Sequence, residues 1–161
     1  ALLAERKAMM LLECGDARGA RAAYREALDE LGANAPPRVV LGQGHASFAT
    51  GDDATAIAMY RRVLESVGAL PGVERKLAHA LVRRGEDLHE ALSMLNRVQQ
   101  PSGDAAARDE LTLLRALAFA KLGEADRARE LLAQADAASE GMAPLRAEVI
   151  RRLSGSVAPR A

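Results

Sequence analysis

Apolar positions along this chain fall into a pattern that returns about every 36 residues. In each copy a small residue is followed four positions later by a large apolar one, and three further on by a small or β-branched one. Ala20, Tyr24 and Ala27 fill these places first, then Ala56, Tyr60 and Val63, then Ala91, Leu95 and Val98, then Ala128, Leu132 and Ala135. The Ala-to-Ala steps are 36, 35 and 37 residues. Spacings of four and three put each trio on one helical face, with the charged residues between them on the other. A Gly followed by an acidic residue precedes every copy: GDARGARAAYREAL from Gly15, GDDATAIAMYRRVL from Gly51, GEDLHEALSMLNRV from Gly85 and GEADRARELLAQA from Gly123. A fixed period of this size marks a stacked repeat, whose extended surface suits binding better than catalysis.

Each Gly closes one helix and each acid can open the next, by accepting orphan amides or facing the positive end of the helix. The candidates are Asp16, Asp52, Asp87 and Glu124. In the third copy the Gly stands six residues before the Ala rather than five, so that turn carries one extra residue. The pattern predicts helix pairs at 2–14 with 17–31, 36–50 with 53–67, 72–84 with 88–99, and 105–122 with 125–138. A last helix at 144–153 is opened by Pro144 and presents Leu145, Val149, Ile150 and Leu153 as an apolar stripe, with Arg146, Glu148, Arg151 and Arg152 outside. It reads as an end cap. The Gly/Pro breaks at 32–37, 68–72 and 100–104 are short enough to be turns between repeats. Residues 1–153 therefore form one helical repeat domain, with repeats at 1–34, 35–70, 71–102 and 103–140 and the cap at 144–153. The tail 154–161 has nothing to bury and is expected to be mobile.

Of the 161 residues 49 % are hydrophobic but only 2 % aromatic, so the core must be built from Ala, Leu, Val and Met. Small side chains let helices approach closely, and alternating β-branched runs are absent, so the expected class is all-α without a sheet. Lys+Arg and Asp+Glu both number 22. With no basic excess and few rings for base stacking, nucleic acid is not the expected partner. No apolar run reaches the length of a bilayer crossing, so no membrane insertion is expected. The single cysteine, Cys14, excludes an intramolecular disulfide and favours a cytoplasmic over a periplasmic setting, with the compartment left open. Cys14 itself reads as a small, partly buried residue at a helix end. The chain begins at Ala1 rather than Met, as a processed or trimmed product would.

With these residues in view, the chain resembles the tetratricopeptide repeat (TPR) family over residues 1–138. The second-helix half of that family's pattern, a small residue with a bulky one four on and a small one after, is matched in all four copies. In the first-helix half the large aromatic place holds Ala4, Val40, Glu74 and Thr112, and the small place Ala8, Gly44, Ala78 and Ala116. Pro36, Pro71 and Pro101 fall near the family's closing proline. The resemblance implies a right-handed α-α superhelix of about four helix pairs plus a capping helix. It also implies a concave groove lined by the first helix of each pair, holding a peptide or a partner's helix. The residues it places there are Glu5, Met9, Leu12, Arg38, Leu41, His45, Phe48, Arg75, Lys76, His79, Val82, Arg83, Glu110, Leu113 and Leu117. Some members clamp a chaperone's C-terminal carboxylate in this groove; the matching places here carry Glu5, Met9 and Gly42, and Lys76 alone fits, which disfavours that ligand.

His45 and His79 occupy equivalent places in consecutive repeats and could face one another across the groove. No further Cys, His or carboxylate stands at ligand spacing, so neither a metal nor any other cofactor is expected. His89 opens a second helix and reads as solvated. Gly42-Gln43-Gly44 resembles a phosphate loop only superficially, since it lies inside a helix where Gly44 takes the small place. No nucleophile elbow, P-loop, zinc-protease helix or dinucleotide fingerprint is present, so an enzyme is not expected.

Two function classes remain. The first is a protein-interaction scaffold, monomeric or weakly homo-oligomeric. Its middle groove combines an apolar patch (Leu41, Phe48, Val82) with a cationic rim (Arg38, Arg75, Lys76, Arg83). It calls for a partner segment with apolar anchors and acidic flanks. The second is a regulatory or self-assembling repeat segment of a larger bacterial protein or envelope assembly.

Overall fold

The structure, a computed structural model, describes residues 1–98, 104–135 and 140–155. Among these the fold is all-helical, with no strand. The helices are α1 (Leu2–Glu13), α2 (Ala17–Leu31), α3 (Pro37–Ala49), α4 (Asp53–Val67), α5 (Pro71–Arg84), α6 (Leu88–Arg97), α7 (Ala105–Leu122), α8 (Ala125–Gln134) and α9 (Ala143–Gly155). Among the described residues no helix is long and apolar enough to cross a membrane.

The repeated Gly-acid phrase folds as a recurring turn. Asp16 N–H donates to the Leu11 carbonyl (2.8 Å) and Gly15 N–H to Leu12 (3.0 Å), a pairing that closes the end of a helix around a left-handed residue. Asp52 with Ser47, Gly51 with Phe48, Glu124 with Phe119 and Gly123 with Ala120 repeat it. The carboxylates of Asp16 and Asp52 then accept from the amides of Gly19 (2.9 Å) and Thr55 (3.2 Å), capping α2 and α4. Asp104, not singled out in the sequence, caps α7 through Ala107 N–H at 3.1 Å.

Two expected caps differ. Glu124 makes no cap bond and instead pairs with Arg127 at 2.6 Å. Asp87 makes none either, because the extra residue of the third turn forces it into the left-handed region at φ 44°. An Asp there can no longer point its carboxylate back along the helix start.

The chain divides into two compact units, residues 1–84 and 85–161. The division falls between α5 and α6, the two helices that the repeat pattern groups as its third pair.

In the first unit each helix packs on the next, from α1 to α5, and α1 also meets α3. Ala4 and Ala8 of α1, Ala20, Ala23, Tyr24 and Ala27 of α2, and Val39 and Ala46 of α3 form one buried cluster. Leu11, Leu12, Leu28 and Leu31 pack against it. Methyl groups at most of these places let the helices approach closely, with Tyr24 as the one large side chain of the cluster and Tyr60 buried beyond it on α4. A Cβ built at Gly44 would stand 2.8 Å from the Tyr60 ring, and one at Gly42 only 2.3 Å from the ring of Tyr24. The two glycines of Gly42-Gln43-Gly44 are therefore sockets for Tyr24 of α2 and Tyr60 of α4, which are 4 % and 0 % exposed.

In the second unit α7 is the central helix, packed against α6, α8 and α9. Its Leu111, Leu113, Leu114, Leu117 and Ala118 are buried, as are Ala91 and Leu95 of α6, Ala128 of α8, and Val149 and Leu153 of α9. The expected stripe on α9 is narrower than predicted, because Ile150 is exposed and Leu145 only half-buried. Helix α8 stops at Gln134 rather than at 138. Ala135 is extended and buried, and its carbonyl accepts from Arg146 of α9 at 3.1 Å, so the helix does not continue through it. The remainder of that predicted helix, 136–138, and the tail from 156 lie outside the described residues. Cys14, expected to be partly buried, is exposed.

Candidate functional site

Between its end residues Pro37 and Ala49, helix α3 is covered on every side but one. Val39, Val40, Gly42, Gln43, Gly44, Ala46 and Ser47 are buried, which leaves Arg38, Leu41, His45 and Phe48, spaced three, four and three apart, as its open stripe. At one end of the stripe Arg38 reaches the carboxylate of Glu5 on α1 through two hydrogen bonds, Nε to Oε1 at 2.6 Å and Nη2 to Oε2 at 3.2 Å. The hydrogen bond and charge of Glu5 push the Arg38 guanidinium further up, and the pair keeps the buried Glu5 carboxylate compensated.

At the other end Phe48 gathers α4 and α5. The Arg83 guanidinium lies 4.2 Å from its ring centre and the Lys76 ammonium 5.2 Å away. His79 meets the ring T-shaped at 5.2 Å, and Tyr60 tilts against it at 6.5 Å. Arg83 is itself held by the Asp53 carboxylate of α4 and donates to the Phe48 carbonyl at 3.2 Å. A ring with cations near it attracts them through its quadrupole and stays half-exposed as an apolar surface.

His45 lies between the two ends of the stripe and contacts Tyr60. Its Nδ1 lies 3.0 Å from the Tyr60 hydroxyl, and its ring is 5.6 Å from the tyrosine ring. Burial and then the charge of Lys76 hold the imidazole below its ordinary pKa. Burial pushes the Tyr60 hydroxyl well above its usual value, so it stays protonated and can donate to Nδ1, leaving the imidazole proton on Nε2.

Beside His45 a shallow open depression of ≈ 340 Å³ is walled by Leu70, Pro71, Gly72, Val73, Arg75 and Lys76 at the start of α5. Its surface is mostly apolar, with the two basic side chains at its edge. The amides of Val73 and Glu74 are not free to serve it, since both donate to the Leu70 carbonyl at 2.9 Å.

The first unit thus brings together Arg38, Leu41, His45, Phe48, Arg75, Lys76, His79 and Arg83 from the sequence-derived set. Met9 is on α1 with 49 % exposure, and Leu12 is half-buried against the α1–α3 core. Three residues of the set belong to packing instead. Val82 is fully buried, so the apolar patch reduces to Leu41 and Phe48; Leu113 and Leu117 are 0 % and 2 % exposed in the core of the second unit. Glu110 is half-buried on α7 of that unit.

Asp53 and Tyr60 join the site from outside the sequence-derived set, whereas Gly42, which the resemblance places in the groove, is buried as the socket for Tyr24. Tyr60 was read as core, and its hydroxyl at the edge of that core is the one signal that pointed outward. Asp53 carried none beyond following a capping aspartate. His45 and His79 do not form a pair of ligands, since each is engaged with a different aromatic ring. Among the described residues no group of three or more His, Cys, Asp or Glu comes together as a metal would require. Compared with known proteins, the chain matches no family model and no curated sequence.

Proposed function

We propose that the chain is a protein-interaction scaffold of TPR-like architecture, in which the face built by α1, α3 and α5 of the first unit holds a partner's peptide or helix. The observation that carries this reading is the open stripe of α3: between its two end residues, a helix otherwise buried leaves four residues of mixed apolar and cationic character outward, and α5 extends them with Lys76, His79 and Arg83. Leu41 and Phe48 supply apolar anchorage, and Arg75 and Lys76 supply positive charge for acidic flanks. The α-α superhelix is part of the same proposal, resting on the repeat period and the recurring turn.

Selection of peptides from a random display library on the full chain tests it. The reading requires enriched peptides that combine apolar residues with Asp or Glu and are released by Leu41→Ala or Phe48→Ala. Peptides that bind both variants as tightly as the original chain would place the functional surface elsewhere, with the second-helix face around Arg61 and Arg62 next in line.

One observation favours self-assembly as a second reading. Helix α1 exposes Leu2 (62 %), Leu3 (83 %), Met9 (49 %) and Met10 (65 %), an apolar surface of the kind that copies of a chain bury against each other. A mass by gel filtration that rises with concentration in the original chain, but not in Leu3→Glu/Met10→Glu, would support it; an unchanging monomer mass would remove it.

A further inference from the structure

The four cations around the α3–α5 face are not equivalent. Arg38 is spent on Glu5 and Arg83 on Asp53. Arg75 and Lys76 form no ion pair among the described residues, and both edge the depression that His45 also lines. The lining contains no carboxylate. The contact of Lys76 with Phe48 attracts the ammonium without cancelling its charge. Two uncompensated positive charges therefore share one small apolar-walled hollow, beside an imidazole whose hydrogen bond to Tyr60 leaves its second nitrogen for another partner.

We propose that this depression seats a doubly charged oxyanion, namely a phosphorylated side chain on the segment that the groove binds. The proposal rests on the groove reading above and names the chemistry of one subsite within it. A carboxylate brings one negative charge and would leave one of the two cations uncompensated. A phosphomonoester brings about −1.5 to −2 charges and three acceptor oxygens. The planar fork of Arg75 suits two of those oxygens and the ammonium of Lys76 a third. The amides of Val73 and Glu74 are already bonded to the Leu70 carbonyl, so the recognition falls chiefly to the side chains of Arg75 and Lys76. Leu70, Pro71 and Val73 give the carrier of the phosphate an apolar wall.

Titration of the full chain, followed by amide and imidazole NMR shifts near neutral pH, tests this with phenyl phosphate, benzoate and inorganic phosphate as probes. Phenyl phosphate is expected to give saturable shifts at Gly72, Val73, Arg75, Lys76 and His45. It should bind about tenfold more tightly than benzoate, and lose about tenfold in Arg75→Gln/Lys76→Gln but nothing in Arg108→Gln. Equal binding of benzoate would overturn the double charge. Equal binding of inorganic phosphate would overturn the side-chain carrier, and undiminished binding to the double variant would overturn the site. The fate of the groove is read separately. Peptides that depend on Leu41 and Phe48 but gain nothing from phosphorylation would sink this proposal while leaving the groove intact. A phosphate that binds here, while no peptide needs Leu41 or Phe48, would sink the groove.

Discussion

Gly44 and Gly72 are both helical glycines, and the structure assigns them opposite consequences. Replacing Gly44 by Ala pushes a methyl to 2.8 Å from a tyrosine ring that is fully buried and has nowhere to go. Overpacking of that kind costs about 1–3 kcal/mol, against a gain of up to about 1 kcal/mol for Ala over Gly in a helix. Gly72 has nothing within 4 Å, so Gly72→Ala keeps only the gain. Denaturant melts should show Gly44→Ala destabilised and Gly72→Ala equal to or above the original chain; equal stabilities for the two would contradict the socket. His45 makes a second residue-scale prediction. Burial and Lys76 lower its folded pKa, so below the ordinary value of 6.5 the unfolded chain binds more protons than the folded one. Stability then rises with pH through that window and falls on acidification below it. The Tm should drop between about pH 7 and about pH 5 in the original chain, and drop less in His45→Gln. Parallel profiles would show that His45 is not the group concerned.

At the scale of elements, helix ends carry much of what the sequence could and could not reveal. The Gly-acid phrase placed the helix starts within a residue or two, because a left-handed Gly and a following cap are local properties of a few residues. Asp52 shows the physical cost of such a cap. Burial alone would raise its pKa, but hydrogen bonds from Thr55 and the charges of Arg21 and Arg84 outweigh it and hold the carboxylate low. Its side chain also pairs with Arg21 at 3.1 Å. Asp52→Ala should therefore cost about 1–2 kcal/mol in a denaturant melt, with Asp52→Asn recovering part of it. A loss within error of zero would mean that the cap is dispensable. The end of α8 was not legible, since nothing near Ala135 announces that its carbonyl will be claimed by Arg146, eleven residues on. Of the candidate site, the α3 stripe could be read from its three-and-four spacing. Val82, Leu113 and Leu117 could not be told from core, because an apolar residue on a first helix satisfies both patterns equally. Nor could the pairing of Arg38 with Glu5 and of Arg83 with Asp53, each 30 residues or more apart, which removes half of the expected cationic rim.

For the whole molecule, the repeat period describes one continuous array, whereas contacts gather into units of residues 1–84 and 85–161. A period records how each helix is made and is blind to which helices share a core. The first unit has its own core around Tyr24 and Tyr60 and contains the entire α1, α3 and α5 face. A fragment of residues 1–84 is therefore expected to melt cooperatively, with helical circular dichroism, and to keep binding peptides selected on the full chain; a fragment without a cooperative melt would show that the units are interdependent. The central claim is that this face is where the molecule meets its partner. The most direct measurement is the binding kinetics of a selected peptide to the full chain, to Phe48→Ala and to Arg75→Glu/Lys76→Glu, at low and high salt. The account predicts that Phe48→Ala dissociates about tenfold faster or more, as loss of a central anchor does. It predicts that the charge-reversed variant associates more slowly and loses the salt dependence seen in the original chain. Rates unchanged in both variants, with binding lost instead in Arg61→Glu/Arg62→Glu, would contradict it.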